Sequence, residues 1–482
     1  MTNKKYEVTR RKFVVGSSAL AAGTGALLAG CNPAPTPPRP PSPNPVTPGD
    51  GITIVPGNKA LVYILLDGGN DSFNMLVPSS ASAYDQYRTS RSNLALDKSS
   101  LLALNGFTDS NNLTFGLHPA MPKTQALFNT DKLAFVANVG PLIQPITKAE
   151  FASGAKPLPV GLMSHSDQSR HWMTANPGVR TNHGWFGKLA DELQANKADS
   201  AISMNISMDG SNIAQNGTKA AEYAITQEGS VGLLMKESGK FPGQDALNRE
   251  LLKGFDAIMS PASTQAFHET YADKTRHSQA QHETFKAAVD GVNIGTVFSA
   301  AQLSQQLKMV AKTIKAGASL GTEQQTFFIR FRGWDHHDEL LKNHAQKLGV
   351  LDTALFEFQT ALEELDVDDQ VLTFTGSDFG RTLTSNGNGT DHGWGGVSIV
   401  MGKDVNGGKI YGEYPPMTLG SANPLDVGGG VLLPTTSADE LFAELAIWFG
   451  VQKGDLAKLF PNLPHFYNHL KAKDAPLGLV GT

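Results

Sequence analysis

Short apolar runs alternate with longer amphipathic segments from about residue 51 onward. Six runs are typical of β-strands, at 61–66, 132–139, 201–207, 326–331, 371–375 and 397–401. Several are apolar at successive positions, as expected for strands covered by helices on both faces. Segments 122–130, 343–365 and 437–449 favour helices, and the last begins with the capping-box residues Ser437 and Glu440. This alternation predicts an α/β domain with a mainly parallel sheet.

The stretch from about 212 to 317 departs from that alternation. Strand patterns are absent there, and helical patterns follow one another with Pro242 and Pro261 between them. We expect a helical insertion packed on the sheet, within one domain that spans 51–482.

The first 31 residues have the pattern of an export signal rather than of a folded element. Arg10 and Arg11 precede an apolar, small-residue run from 14 to 29, which resembles the bacterial twin-arginine signal. The run ends in Leu28-Ala-Gly-Cys31, the lipobox pattern of bacterial lipoproteins, and Cys31 is the only cysteine of the chain. We therefore expect export by the twin-arginine translocase and anchoring to a membrane through lipidated Cys31.

The sequence after Cys31 fits a lipoprotein that faces the periplasm. Asn32 at the next position favours sorting to the outer membrane of the cell envelope. Residues 32–50 are rich in proline and are expected to form an extended, semi-rigid linker between the anchor and the domain.

Charge and composition narrow the functional classes. The chain has 40 basic and 45 acidic residues, and without the first 31 residues it has 35 and 44, a net charge of −9. Nucleic-acid-binding proteins usually carry the opposite sign, so we expect no nucleic-acid partner. Nucleotide and iron–sulfur motifs are not found in the sequence, which disfavours an exported redox enzyme.

Acidic residues follow three of the predicted strands. Asp67 follows the first strand, Asp335 follows the run at 326–331, and Asp378 follows the run at 371–375. Functional groups in open α/β sheets gather at the carboxyl ends of the strands. The sequence therefore predicts that these three carboxylates share one edge of the sheet.

Imidazoles accompany two of these acids. The segment Gly333-Trp-Asp-His-His-Asp338 places His336 and His337 beside Asp335, and either histidine is a candidate ligand. A glycine-rich loop carries His392 back toward the sheet between two strands. Imidazole and carboxylate together suit divalent metals such as zinc, manganese or iron. The alternative for the two adjacent histidines is a helix cap.

Two further residues are candidates for catalysis. Ser164 lies at the start of a predicted helix, where a metal-activated hydroxyl would act as nucleophile. The alternative is an ordinary N-cap in this segment, formed by Ser166 or Asp167. Arg381 follows Asp378 and is suited to bidentate contact with a tetrahedral oxyanion.

The motifs together resemble the DUF1501 family, which is grouped with the alkaline-phosphatase-like superfamily. They are Leu66-Asp-Gly-Gly-Asn-Asp-Ser-Phe-Asn74, Gly116-Leu-His-Pro-Ala120, Met163-Ser-His-Ser166, Gly333-Trp-Asp-His-His337, Ser377-Asp-Phe-Gly-Arg-Thr382, Gly389-Thr-Asp-His-Gly-Trp394 and Leu433-Pro-Thr-Thr436. The resemblance implies an alkaline-phosphatase-like fold and the hydrolysis of phosphate or sulfate esters with one or two divalent metals.

The same resemblance implies roles for individual positions. Asp67 corresponds to the metal ligand after the first strand, and Ser164 to the nucleophile. Asp335, His337 and His392 correspond to the ligands of one metal, and Asp378 to the acid of the other. The superfamily's usual Asp-His pair is Asp378-Phe379 here, and His336 also departs from the usual residue. A one-metal enzyme and an inactive descendant are both compatible with that departure.

Two function hypotheses follow. The first is a lipid-anchored hydrolase of phosphate or sulfate esters that depends on zinc, manganese, calcium or magnesium. The second is a non-catalytic envelope protein of the same fold that binds glycans or a protein partner.

Overall fold

The computed structural model describes residues 51–109, 111–194, 202–232, 241, 243–260, 266–472 and 474–481. The predicted signal peptide, the proline-rich linker and Cys31 lie outside these ranges, as do parts of the predicted helical insertion. Among the described helices, none has the length and apolar character needed to span a bilayer.

Twelve strands are present in the described ranges. They are β1 (Lys59–Asp67), β2 (Leu76–Pro78), β3 (Leu102–Ala103), β4 (Phe115–Leu117), β5 (Leu133–Gly140), β6 (Asn205–Ser207), β7 (Tyr223–Ala224), β8 (Gln324–Arg332), β9 (Val371–Ser377), β10 (Gly396–Met401), β11 (Ile410–Tyr411) and β12 (Thr436–Ser437). Nine of them form the central sheet, in the order β11-β5-β10-β9-β1-β8-β6-β7, with β12 also paired to β5. Strands β2, β4 and β3 form a separate antiparallel sheet.

Most pairings in the central sheet are parallel. β1 lies between β8 and β9 and runs parallel to both. β6 runs parallel to β8 and β7, and β5 runs parallel to β11 and β12. β10 is the exception, because it pairs antiparallel with β5 and with β9. The predicted fold class, α/β with a mainly parallel sheet, is confirmed.

Helices surround the sheet. They are α1 (Ser72–Met75), α2 (Ala81–Arg91), α3 (Pro122–Asn129), α4 (Lys148–Ser153), α5 (His165–Thr174), α6 (Trp185–Gln194), α7 (Asp245–Ile258), α8 (Ala266–Asp290), α9 (Gln302–Lys315), α10 (Gly317–Leu320), α11 (Leu340–Glu364), α12 (Ala438–Phe449) and α13 (Leu456–Leu459). The segment expected to be a helical insertion contains α7, α8 and α9, and it also supplies β7 at the edge of the sheet.

The core lies on both faces of the sheet. Along β1, Val62 and Ile64 belong to one apolar cluster, whereas Leu61, Tyr63 and Leu65 belong to the other. Side chains of α9 and α11 complete the first cluster, and side chains of α6 and α12 complete the second. Each fully buried aliphatic side chain contributes roughly 1.5–3 kcal/mol to folding. This double coverage explains the continuous apolar runs in the sequence.

The carboxyl ends of three central strands meet at one edge. In the parallel register, Asp67 at the end of β1 lies opposite Arg332 at the end of β8, and Leu66 lies opposite Ser377 at the end of β9. The segments that begin with Gly68, Gly333 and Asp378 therefore leave the sheet side by side. This edge holds the candidate site.

Candidate metal centre

The turn after β8 carries both exposed and buried side chains. The backbone N–H groups of Gly333 and Trp334 both donate to the carbonyl of Asp67 at 3.1 Å, which ties the turn to the end of β1. Trp334 is fully buried and anchors the segment. Asp335 and His337 consequently face the open side, while the His336 ring is buried. Of the two candidate histidines, His337 is the one beside Asp335.

The glycine-rich loop before β10 packs against this turn. The Thr390 N–H donates to the His336 carbonyl at 3.2 Å, and Asn386 Nδ2 donates to the His337 carbonyl at 3.1 Å. A Cβ on Gly389 would lie 2.3 Å from the His337 carbonyl carbon, so only glycine permits this approach. The loop thereby places His392 next to Asp335.

The segment at the start of α5 also lies next to His392. Met163, just before the helix, has a positive φ of 65°, a strained conformation for a residue with a side chain. Its carbonyl accepts a hydrogen bond from His392 Nδ1 at 2.9 Å. Two residues further on, His165 is the first residue of α5 and its ring lies 4.4 Å from that of His392, centroid to centroid.

Three imidazoles therefore surround one carboxylate. Asp335 Oδ1 lies 3.0 Å from His337 Nε2 and 3.4 Å from His392 Nε2, and Asp335 Oδ2 lies 3.4 Å from His165 Nε2. The Nε2 atoms of His337 and His392 are 3.0 Å apart. His165, Asp335 and His392 form a group of three possible metal donors whose ligand atoms lie within 4.8 Å of one another.

The second nitrogen of each ring has an oxygen acceptor. Nδ1 of His392 faces the Met163 carbonyl, Nδ1 of His165 lies 2.8 Å from Asp378 Oδ2, and Nδ1 of His337 lies 3.3 Å from Asp391 Oδ1. A carbonyl oxygen can only accept, so Nδ1 of His392 carries the proton and its Nε2 presents a lone pair when the ring is neutral. The same assignment for the other two rings directs all three lone pairs toward Asp335.

This arrangement fits a divalent cation. Lone pairs of His337 and His392 that face each other at 3.0 Å require a shared proton or a cation between them. In a tetrahedral site with bonds of about 2.0–2.1 Å, neighbouring ligand atoms are separated by roughly 3.3 Å. The separations of Asp335 Oδ1 from Nε2 of His337 and His392, 3.0 and 3.4 Å, are near that value, while Nε2 of His165 faces the other carboxylate oxygen at 3.4 Å. Imidazoles oriented by oxygen acceptors are the usual surroundings of a protein metal ion.

Electrostatics keep the carboxylate of this centre ionised. Burial works to raise the pKa of Asp335, but the hydrogen bond and charge of Arg381 outweigh it, and the pKa is lowered. The hydrogen bond that His165 Nδ1 donates to Asp378 raises the pKa of His165 despite partial burial. Burial lowers the pKa of His392, which favours the neutral, ligating form of this imidazole.

Arg381 contacts the protein with every side-chain nitrogen. It is almost completely buried; Nη1 donates to Asp335 Oδ1 at 2.6 Å and to the Gly68 carbonyl at 3.3 Å, and Nε donates to Thr390 Oγ1 at 3.1 Å. Nη2 donates to the carbonyl of Thr390. Arg381 therefore orients Asp335, and the expected contact between Arg381 and a substrate oxyanion stays a prediction.

Two predicted ligands have other partners in the structure. Asp67 Oδ1 accepts from Arg330 Nη1 at 2.9 Å, because Arg330 lies on the neighbouring strand β8. Asp378 is buried and contacts the centre through His165. The assignment of Asp67 and Asp378 as direct ligands stays a prediction.

Ser164 is adjacent in sequence to the imidazole of His165. It is the N-cap residue of α5 with an extended backbone, and its Oγ lies 3.2 Å from Ser166 Oγ. It directly precedes His165 in the chain. Its role as nucleophile is likewise untested.

The sequence interpretation missed His165. The histidine lies in the quoted motif Met163-Ser-His-Ser166, between the two serines that were considered for a nucleophile or a cap. The local sequence does not indicate the direction of this side chain. Its partner, Asp378, is 213 positions away, and only the tertiary fold joins them.

Comparison with known proteins adds a family and distant structural likenesses. The crystal structure of Ps i-CgsB in complex with k-i-k-neocarrahexaose shares 11% identity and a TM-score of 0.33, covering 83% of this chain and 72% of that chain. The lipoteichoic acid synthase LtaP from Listeria monocytogenes shares 8% identity and a TM-score of 0.29, covering 80% of this chain and 79% of that chain. These scores are too low to support an argument about fold or activity.

A comparison with curated protein sequences gives no match. The profile of the family described as "Protein of unknown function (DUF1501)" matches residues 58–456, which include every strand of the central sheet and every residue of the candidate centre. The chain therefore belongs to the DUF1501 family, as its motifs predicted.

Proposed function

We propose that this protein is an exported, lipid-anchored, metal-dependent hydrolase of phosphate or sulfate esters. The observation that carries the proposal is the convergence of three oriented imidazoles on Asp335, with Nε2-to-oxygen distances of 3.0–3.4 Å. The centre is half-exposed, so a substrate in solution has access to it. An ion held by His165, Asp335, His337 and His392 would act as a Lewis acid on an ester oxygen and make a nearby hydroxyl or water more acidic.

The protein's own residues would supply orientation and the nucleophile. Arg381 holds Asp335 in place, and the Met163 carbonyl holds His392. Ser164 lies at the N-terminus of α5, a ten-residue helix whose first N–H groups favour an approaching oxyanion. We assign Ser164 as the nucleophile because it adjoins the ligand His165 and has an extended backbone outside the helix.

The test combines metal analysis with ester hydrolysis by the purified full chain. We expect about one divalent ion per chain and hydrolysis of a phosphate or a sulfate ester in a panel containing both. Asp335→Asn should lose the ion and the activity while keeping an acceptor for Arg381. Asp338→Asn is the matched control, because the Asp338 carboxylate contacts Asn388 rather than the imidazoles. Absence of a stoichiometric ion in the wild type would overturn the proposal.

The nucleophile is tested separately. Ser164→Ala should abolish ester hydrolysis without loss of the ion, whereas Ser166→Ala should keep most of the activity. A chain that binds the ion but hydrolyses neither ester class would instead support the non-catalytic alternative, an envelope protein that binds glycans or a protein partner.

Export and anchoring are supported by Arg10, Arg11 and the lipobox at Cys31. Fractionation of cells that express the wild type or Cys31→Ser tests them. We expect the wild type in the membrane fraction and the variant released from it. A variant that stays in the membrane fraction would contradict lipidation as the anchor.

A further inference from the structure

The carboxylate of Asp378 lies beneath the candidate centre and not in it. It follows β9 directly and its side chain is only 1% exposed. Its Oδ2 accepts a hydrogen bond from the Gly68 N–H at 3.1 Å and one from His165 Nδ1 at 2.8 Å. The carboxylate thus joins the diglycine turn after β1 to the imidazole of His165.

Phe379, the residue after Asp378, packs against two imidazoles of the centre. Its ring is buried and stacks on His392, with centroids 4.5 Å apart and an interplanar angle of 30°. The same ring lies 4.8 Å from that of His165, and a Cβ on Gly69 would approach its edge to 2.5 Å. A phenyl group offers no ligand atom, so the residue next to Asp378 contributes none to a second ion.

Asp378 offers a second ion at most one free oxygen. Its Oδ2 already accepts two hydrogen bonds, and only Oδ1 is left without a partner within the described part of the chain. In the same ranges, the group of three possible donors formed by His165, Asp335 and His392 belongs to the Asp335 centre and does not include Asp378. One carboxylate with an apolar neighbour does not make a binding site for a hard or borderline cation.

We propose that the centre binds one divalent ion and that Asp378 is a positioning residue for His165, not a ligand. This inference rests on the metal centre of the proposed function. The carboxylate accepts the Nδ1 proton of His165, which fixes the tautomer, directs Nε2 toward Asp335 and makes the imidazole a stronger ligand. The Gly68 N–H holds the carboxylate in the orientation that this contact needs.

The proposal is tested by titrating the full chain with Zn²⁺, with chelator competition to measure affinity. We expect one ion per chain for the wild type and one for Asp378→Asn, with affinity about 10- to 100-fold weaker in the variant. Asp335→Asn should bind no stoichiometric ion. Co²⁺ in place of Zn²⁺ should give the same absorption intensity in the wild type and Asp378→Asn, because the number of ligands is unchanged.

A double-mutant cycle separates positioning from ligation. If Asp378 acts through His165, then Asp378→Asn should have no further effect on affinity in a His165→Ala background. Full additivity of the two losses would overturn the proposal. So would two ions in the wild type, or loss of all stoichiometric binding in Asp378→Asn. The number of ions bound per wild-type chain tests the proposal even if Asp378→Asn fails to fold.

These measurements need no substrate. A protein that binds one ion in this way but hydrolyses no ester would leave the assignment of Asp378 intact while the proposed activity failed. Two bound ions together with ester hydrolysis would refute the assignment of Asp378 and support the proposed activity.

Discussion

Two groups of three histidines lie close together in this protein and differ in almost every physical respect. The outer group, His165, His337 and His392, is partly exposed and surrounds Asp335. The inner group consists of three buried rings, those of His118, His336 and His344. His336 and His337 are neighbours in sequence, so one peptide unit separates the two environments.

Hydrogen-bond partners explain the difference. In the inner group, His344 Nε2 contacts Asn70 Oδ1 at 2.9 Å, and His118 Nδ1 accepts from the Ala120 N–H at 3.0 Å. The ring centroid of His344 lies 5.9 Å from those of His118 and His336. These neutral partners suit uncharged imidazoles that support the fold. The comparison shows that an available carboxylate and oriented lone pairs, rather than the number of histidines, define a candidate metal centre.

The inner group should make the protein sensitive to acid. Burial lowers the pKa of His118 to about 4 from an ordinary value of 6.5, so the unfolded chain binds a proton between these values that the folded chain excludes. Its contribution to stability is present above pH 6.5 and is lost as the pH falls toward 4, roughly 3 kcal/mol in all. We expect urea unfolding, measured with a chelator present, to show a shallower decline with acid in His118→Gln. An unchanged pH dependence would contradict the role given to the inner group.

Loss of an outer histidine should weaken metal binding severely with little effect on the apoprotein. His392→Ala removes a ligand atom, so the loss of affinity should exceed the roughly 100-fold seen for orienting partners. The ring is partly exposed, and its removal leaves no large cavity. Metal titration and urea unfolding of the same preparation test both parts. Affinity that stays within tenfold of the wild type would remove His392 from the centre.

Loss of an inner histidine should have the reverse effect. His344→Leu leaves the Asn70 side-chain oxygen without its partner in a buried position, which should cost about 1–3 kcal/mol of stability. Metal affinity should stay unchanged, because His344 contacts none of the outer imidazoles. A large fall in affinity in a folded variant would show that the two groups act as one.

The smallest effect is expected at the exposed orienting contact. Asp391 Oδ1 lies 3.3 Å from His337 Nδ1, and the Asp391 side chain is 64% exposed. Asp391→Asn should therefore weaken metal binding by about tenfold, the low end of the range for orienting groups. Chelator competition resolves a change of that size. A loss as large as that of His392→Ala would mean that Asp391 itself contacts the ion.

Most of the sheet could be predicted from apolar periodicity. All six predicted runs contain strands of the central sheet, and Ser437 with Glu440 forms the predicted capping box at α12. The small β2–β4–β3 sheet and the strands β7, β11 and β12 were not predicted. Their strands are two or three residues long, so no period is visible, and their pairing is set by distant chain segments.

The residues that the order of the strands brings together could be predicted from the sequence. Those whose role depends on the direction of a side chain were missed. Asp335, His337 and His392 come together because β8 and the loop before β10 end at the same edge. Sequence spacing does not reveal that Arg330 on β8 reaches Asp67, or that His165 turns toward Asp335. Those contacts depend on strand register and on the first turn of a helix, which are properties of the folded chain.

The most direct test of the centre is a crystal structure of the full chain grown with Zn²⁺, with anomalous diffraction recorded at the zinc edge. We predict one anomalous peak about 2.0–2.2 Å from Nε2 of His165, His337 and His392 and from an oxygen of Asp335. Phe379 should stay packed against His392, and Asp378 should stay hydrogen-bonded to His165. Absence of an anomalous peak at Asp335, or zinc bound at other residues, would show that the metal centre is assigned wrongly.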